Sequence, residues 1–361
     1  MGETSKYRQI FEDLRKAIRD GSYGSGVALP SEEAIIRKYG VSRITAVKAM
    51  AELVKSGLVY RRRGKGTFVS KAARLESGRL GLIMPSLSYG EVFPQICHAL
   101  TRRAQQDGFT MILGDISSSD PRSRAREACE VARMFVREQV AGVIMQPLAF
   151  LRKPERVTRE ILDLFEKADI PVTLIDRDID MGADPVGHDF VGIDNIAAGR
   201  ALGAHVLSCG AKRVRFLMRP SCASVIRDRL DGVVSALGAV RASNCVIVAQ
   251  PDDVAALRPV FSGKGRPDAV ICESDYVAAI LRNTLARFGL SVPKQVMLAG
   301  FDDVRCAITT SPPLTTIHQP CSAIADIAYM ALRDRIRDSL LPPRRILIPA
   351  RLIVRESTRK S

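Results

Sequence analysis

Residues 40–69, GVSRITAVKAMAELVKSGLVYRRRGKGTFV, decide the architecture of the N-terminal part of the chain. Gly40 closes one helical segment, and two residues later Ser42 is placed to cap the next, because a serine at that position accepts a hydrogen bond from a free backbone N–H of the first turn. Ala46, Ala49, Met50 and Leu53 then share an arc of roughly 100°, the width of a buried helical stripe. Ile44, Lys48 and Lys55 point the other way, and Arg43 projects from the first turn. The tail LVYRRRGKGTFV reads as two short strands around RRGKG, a hairpin whose glycines relax the backbone at a cationic tip.

Upstream, Tyr7, Ile10, Phe11, Leu14 and Ile18 stand at helical spacing. In SEEAIIRKYG, Ser31 caps a short helix and Glu32 and Glu33 sit in its positive first turn. Two helices joined by so tight a turn predict a helix-turn-helix. With the first helix and the basic hairpin, residues 1–70 form a small α+β winged helix-turn-helix. Its second paired helix suits the major groove, and its wing suits phosphates or the minor groove. The charge agrees: the chain carries a formal +15, and about 16 Lys and Arg against 8 Asp and Glu fall before residue 79. Roughly half the excess in a fifth of the chain points to a polyanionic partner.

The stretch ALPSEEAIIRKYGVSRITAVKAMAELVKSGLVYRRRGKGTFV resembles the GntR-type DNA-binding head, in its LPSE start, its VSR helix start and its GKGTFV wing. The resemblance covers about residues 5–70 and implies binding to a double-stranded DNA operator. Carried over by position, it offers Ser31, Glu33, Ser42, Arg43, Ile44, Thr45, Val47 and Lys48 from the helix pair, and Arg63, Lys65 and Gly66 from the wing. Two positions depart from the family pattern, Glu33 and Val47, where arginines are usual. Glu33 either accepts from a cytosine amino group or orients Arg43, and the implied operator differs from the family's usual one.

A length of 361 residues suggests two or three domains. The eight cysteines are widely spread, none in a CxxC pair, and the four histidines do not cluster with them. That spacing predicts neither a metal site nor a disulfide framework, and buried thiols suit a reducing compartment. The N-terminus has no apolar signal core, and no run reaches the 18 or so apolar residues of a membrane span. The expectation is a cytoplasmic protein that needs no membrane.

Residues 71–79 form a polar linker. Beyond it, nine apolar runs alternate with helical segments: LGLIMPS, FTMILGD, VAGVIMQP, IPVTLIDRD, FVGIDN, RVRFLMRPS, NCVIVAQPD, DAVICESD and VMLAGFDD. Continuous apolar strands separated by helices predict parallel sheets covered on both faces, here two sheets of four or five strands each. Polar residues stand at the strand ends: Ser86, Asp115, Gln146, Asp176, Arg177, Asp194, Ser274 and Asp302. Ligands of such sheets bind there, although Asp115 reads better as a helix cap. No GxGxxG, phosphate-loop or GxSxG pattern occurs, so the residues predict no nucleotide cofactor and no enzyme.

In order and spacing, the segments LGLIMPSLSYGEVF, IPVTLIDRD, VGIDNIAAGRALGAHVLSCGAKRVRFL, DRLDGV, PDAVICESDYVAAILRNTLARFGLSVP, GFDDV and SPPLTTIHQP resemble the LacI-family sensor. That domain is similar to periplasmic sugar-binding proteins. The resemblance implies a two-lobed α/β domain of the periplasmic-binding-protein type I kind over residues 80–356. The implied lobes are 79–192 with 320–341, and 193–319 with 342–356, joined by crossings near 191–193, 318–320 and 341–344. A GntR-type head on such a sensor is the arrangement of AraR-like regulators. The implied cleft residues are Ser86, Tyr89, Phe93, Gln146, Asp176, Arg177, Arg229, Ser274, Asp302 and Gln319, a set fit for a small-molecule effector such as a sugar, sugar acid or sugar phosphate. Tyr89 and Ser274 replace the asparagines common in sugar binders. The resemblance implies a homodimeric, effector-responsive regulator, a repressor, with an activator or a sugar-processing enzyme carrying a DNA-binding head as alternatives.

Overall fold

The computed structural model describes residues 6–359 except 20–21, 25, 71–72, 74–77, 86–89, 115, 119, 150–153, 180–186 and 239–243. The head contains α1 (Lys6–Arg19), α2 (Glu32–Tyr39) and α3 (Arg43–Lys55), then strands β1 (Val59–Arg62) and β2 (Gly66–Val69). The strands pair antiparallel from Val59 opposite Val69 to Arg62 opposite Gly66. A third edge comes from the segment before α2, where Leu29 N donates to Thr67 O at 2.8 Å and Gly26 N to Val69 O at 2.9 Å. The expected stripe Ala46, Ala49, Met50 and Leu53 is buried, against Ile10, Leu14 and Ile18 of α1 and Ile35 of α2. Ala73 belongs to the same core.

The first lobe of the sensor is built from β3 (Arg79–Ile83), α4 (Val92–Gln106), β4 (Thr110–Gly114), α5 (Pro121–Arg137), β5 (Val143–Met145), α6 (Pro154–Lys167), β6 (Val172–Ile175) and β7 (Asp189–Ile193). The chain then crosses into the second lobe. That lobe holds α7 (Asn195–Ser208), β8 (Val214–Met218), α8 (Ser224–Leu237), β9 (Val246–Val248), α9 (Val254–Phe261), β10 (Ala269–Cys272), α10 (Asp275–Arg287), β11 (Met297–Asp302), α11 (Arg305–Thr309) and β12 (Thr315–His318). It returns with α12 (Cys321–Arg337) and β13 (Arg345–Ile348), and crosses again to β14 (Arg351–Ile353).

Each sheet has six strands, ordered β13-β7-β6-β5-β3-β4 in the first lobe and β14-β12-β11-β10-β8-β9 in the second. All pairings are parallel except β12 with β14. The expected four or five strands per sheet fall short by β12, β13 and β14, which lie outside the nine apolar runs: β12 opens on two threonines, and β13 and β14 each open on an arginine and are only partly buried. One crossing needs correction. Ile346 and Leu347 pair in parallel with Val191 and Gly192 of β7, so the chain is still in the first sheet at Ile348. The third crossing therefore lies at 349–350 rather than 341–344.

Helices cover both faces of each sheet. In the first lobe α4 and α12 pack on one face, and α5 and α6 on the other. In the second lobe α7 and α8 lie together unusually closely. A Cβ at Gly199 would overlap the carbonyl oxygen of Arg229, and one at Gly232 that of Ile196, so only glycine lets these backbones touch. Gly199→Ala should therefore destabilise the protein by about 1–3 kcal/mol, whereas Gly265→Ala, with open space around its Cβ, should leave urea denaturation near wild type. Equal midpoints for the two variants would contradict the backbone contact.

Candidate DNA surface and effector cleft

On the head, both predicted caps form. Ser31 Oγ accepts from Ala34 N at 3.2 Å, and Ser42 Oγ from Thr45 N at 3.3 Å. Thr45 Oγ1 is also 3.0 Å from Ser42 Oγ, so these two hydroxyls brace the start of α3. Arg43 is exposed, Ile44 is 81% exposed and Val47 is half-buried. Lys48 is exposed, but its Nζ lies 4.1 Å from the centre of the Tyr7 ring, held toward α1 by a cation–π contact. Arg63, Gly64 and Lys65 make the wing turn, and the φ angles of Gly64 (72°) and Gly66 (112°) explain the two glycines.

Glu33 and Arg43 line one concavity of about 620 Å³ with the wing, yet no ion pair joins them, which corrects the expectation that Glu33 orients Arg43. Glu32 makes the wing contact instead, accepting from Arg61 Nη2 at 3.0 Å. The signal for that pair was weak, a carboxylate and an arginine 29 positions apart. Arg62 lies 5.6 Å from the ring centres of both Tyr60 and Phe68, which stack across the wing.

In the sensor, Ser86, Tyr89 and Asp115 fall outside the described residues; α5 is capped by Asp120, which accepts from Ser123 N at 2.8 Å. The other candidates divide between the lobes. From the first lobe, buried Gln146 donates its Nε2 to Asp176 Oδ2 at 2.8 Å, and Arg177 Nε reaches the same oxygen at 3.1 Å. Phe93 is half-buried against the α4 core. From the second lobe, Arg229 donates to Asn195 Oδ1 at 3.0 Å, to the Glu273 carbonyl at 2.7 Å and to Asp302 Oδ1 at 3.5 Å. Its guanidinium also lies 4.6 Å from the centre of the Phe301 ring. Gln319, on the second crossing, donates its Nε2 to Asp302 Oδ1 at 3.3 Å. Ser274 caps α10 through Val277 N at 3.3 Å, so its hydroxyl already has a structural role.

Burial raises the Asp302 carboxyl to about 6 against the pull of Arg229 and Gln319, and Asp176 on the facing lobe adds to the rise. The lobes also touch directly, Arg305 N donating to Glu91 Oε2 at 2.9 Å. Two buried atoms, Gln146 Oε1 and Arg177 Nη1, have no hydrogen-bond partner among the described residues. Leaving such groups unpaired costs about 1–3 kcal/mol each. Asn195, Arg219 and Glu273 were not foreseen. Asn195 and the Glu273 carbonyl hold Arg229, while Glu273, itself buried, accepts from Arg219 Nε at 2.5 Å. Only their place just after strand ends marked them in the sequence. Among the described residues, no group of His, Cys, Asp and Glu is arranged to hold a metal, and no helix is long and apolar enough to cross a membrane.

A winged helix-turn-helix followed by two parallel α/β lobes with facing polar strand ends defines a DNA-binding head with a ligand-binding sensor. Comparison with known proteins agrees. Residues 6–69 match the family model of bacterial regulatory proteins, gntR family, and residues 204–358 that of a periplasmic binding protein-like domain. The chain is 25% identical to the arabinose metabolism transcriptional repressor of Geobacillus stearothermophilus, over 98% of both proteins. It is 27% identical to the HTH-type transcriptional repressor PurR of Escherichia coli O1:K1 / APEC, over 77% of this chain and 79% of that protein. The structure of a transcriptional regulator CelR-cellobiose complex superposes with a TM-score of 0.66 at 22% identity, over 91% of this chain and 100% of that one. The chain is thus a DNA-binding transcriptional regulator with a gntR-type head and a periplasmic-binding-protein-like sensor, and its relatives are regulators rather than enzymes.

The Asp302 carboxyl sets a pH test. Its folded pKa of about 6 exceeds the ordinary aspartate value of about 3.9. Between these values the folded chain keeps a proton that the unfolded chain has lost, so rising pH costs stability across that window. Relative to Asp302→Asn, the wild type should lose about 2 kcal/mol between pH 4 and pH 7, measured by urea denaturation. A pH-independent difference would mean that Asp302 is solvated.

Proposed function

We propose that this chain is an effector-controlled repressor that works in the cytoplasm as a homodimer, and that its effector is a small polyhydroxylated molecule, whether sugar, sugar acid or sugar phosphate. The observation that carries the effector class is the pair of unpaired buried atoms Gln146 Oε1, an acceptor, and Arg177 Nη1, a donor, on two side chains that both hold Asp176 Oδ2. Hydroxyl groups satisfy both at once, and the carboxylates of Asp176 and Asp302 accept from others. The names of the relatives support the repressor role, and the cellobiose complex supports a sugar in the cleft. The DNA contacts we assign are Arg43, Ile44, Thr45 and Val47 on α3, with Arg63, Lys65 and Gly66 on the wing.

Exposed Tyr276 on α10, Ile308 on α11 and Met330 on α12, at 62%, 60% and 47%, are large apolar side chains suited to an isologous contact between two copies. Paired sensors set the spacing of two heads on a near-palindromic site. An effector acts only by favouring one lobe arrangement over another.

The test uses a duplex selected by the wild type from a randomised library, with L-arabinose and cellobiose as the first effectors titrated by calorimetry. Arg229→Ala should bind the active sugar about 10- to 150-fold more weakly, the loss of a charge-assisted bond, and keep full affinity for the duplex alone. Linkage requires the duplex to weaken sugar binding by the factor with which sugar weakens duplex binding. Unchanged sugar affinity in the variant would remove Arg229 from the cleft, and sugar affinity indifferent to the duplex would separate sensor from head.

A further inference from the structure

One face of α5 carries Arg122, Arg126, Arg133 and Arg137, all exposed. Their spacing of four, seven and four residues places them within about 60° of arc along about 22 Å of helix axis. Among the described residues, no ion pair or side-chain hydrogen bond engages any of the four guanidinium groups. Acidic neighbours exist but do not close on them: Asp120 is near Arg122, and Glu130 and Glu160 lie in the surroundings of Cys129 with Arg133.

The arrangement works against its own helix. Arg122–Arg126 and Arg133–Arg137 are like-charge pairs at i,i+4, which repel. Arg122 also sits in the first turn, where the helix dipole disfavours a cation and the Asp120 cap is the acidic group beside it. A polyanion laid along the face offsets both repulsions.

The position of the stripe says which polyanion. Glu138, just past the end of α5, accepts from Arg79 Nη1 at 2.7 Å. Arg79 is the first residue of the sensor, so the stripe starts beside the point where the chain arrives from the head. Ala73 is buried in the head core, and the six steps from there to Arg79 can span at most about 22 Å. The head is therefore tethered within about 22 Å of this pole of the first lobe.

We propose that the outer face of α5 is a second DNA-contacting surface, which holds the phosphate backbone flanking the site read by the head. This rests on the head being the DNA reader. A stripe of about 22 Å runs beside about six phosphates of one strand, and four arginines make the contact without reading sequence.

The experiment follows binding of the full chain to a random-sequence 60-base-pair duplex by fluorescence anisotropy across a salt series. Three variants are compared: all four arginines to Gln, all four to Lys, and Arg43→Ala in the head. Because each lost phosphate contact removes about 0.9 from the slope of log affinity against log salt, the Gln variant should lose about 2–4 from that slope and bind at least tenfold more weakly at low salt. The Lys variant should stay within about twofold of wild type, since it keeps the charge, and circular dichroism should show all helices intact. A Gln variant with the wild-type slope overturns the proposal and leaves an acidic protein as the partner of this face. A wild type that shows no salt-dependent binding overturns the DNA reading of the head as well, whereas a defect confined to Arg43→Ala overturns only the role of α5.

Discussion

Asp189 opens β7 with no exposed surface, and two arginines from the returning segment close on it. Arg335 of α12 makes two bonds at 2.8 and 3.0 Å, and Arg344 adds its guanidinium at 3.0 Å and its backbone N–H at 2.8 Å. Burial alone would raise this carboxyl; the bonds from Arg335 and Arg344 outweigh it and hold the group below the usual range. An unpaired charge at such a place would cost about 3–5 kcal/mol, so the segment is committed to the first lobe. With it come α12 and β13, and hence three crossings between lobes instead of one. Neither lobe is complete without chain that has already visited the other.

That interleaving gives the cleft its mechanics. Asp176 and Arg177 stand on the first lobe, Arg229 and Asp302 on the second, and Gln319 on a crossing itself. Arg229 is tied to the first crossing through Asn195, whose Nδ2 also donates to Ile193 O at 3.4 Å. Glycines 199 and 232 let α7 and α8 pack backbone to backbone. On the function proposed above, an effector held by Arg229 would act on this crossing, and it shifts the lobes only by favouring one arrangement over the other. The raised Asp302 carboxyl belongs to the same economy, two carboxylates brought face to face until something separates or satisfies them.

The head is simpler because its contacts are local. Its core uses the same four residues of α3 that the 3.6-residue period selects, and both serine caps form as hydrogen-bonding rules require. The wing is braced by Glu32–Arg61 and by Arg62 over two aromatic rings, which leaves Arg63 and Lys65 at the tip for a partner. Lys48, by contrast, is drawn toward Tyr7, an effect of α1 packing that the helix wheel alone does not contain.

By itself the sequence determined whatever depends on local periodicity. The helix-turn-helix, its caps, the basic hairpin and nine of the twelve sensor strands were legible because burial on one face or two writes itself into spacing. The resemblance supplied Arg229, Asp302, Gln146 and Gln319; in the structure Arg229 and Gln319 both donate to Asp302, and Gln146 donates to Asp176. Only the tertiary structure decided the rest. Strands β12 to β14 pair with distant chain, and at three or four residues each they are too short to show a period of their own. The third crossing fell at 349–350 because pairing with β7 is a property of β7 as much as of β13. Glu33 lost its expected arginine, Ser274 proved to be a helix cap, and Asn195 became the support of Arg229. The Asn195–Arg229 pair spans 34 residues, and a side chain's partner across such a distance is set by packing geometry that no local pattern records.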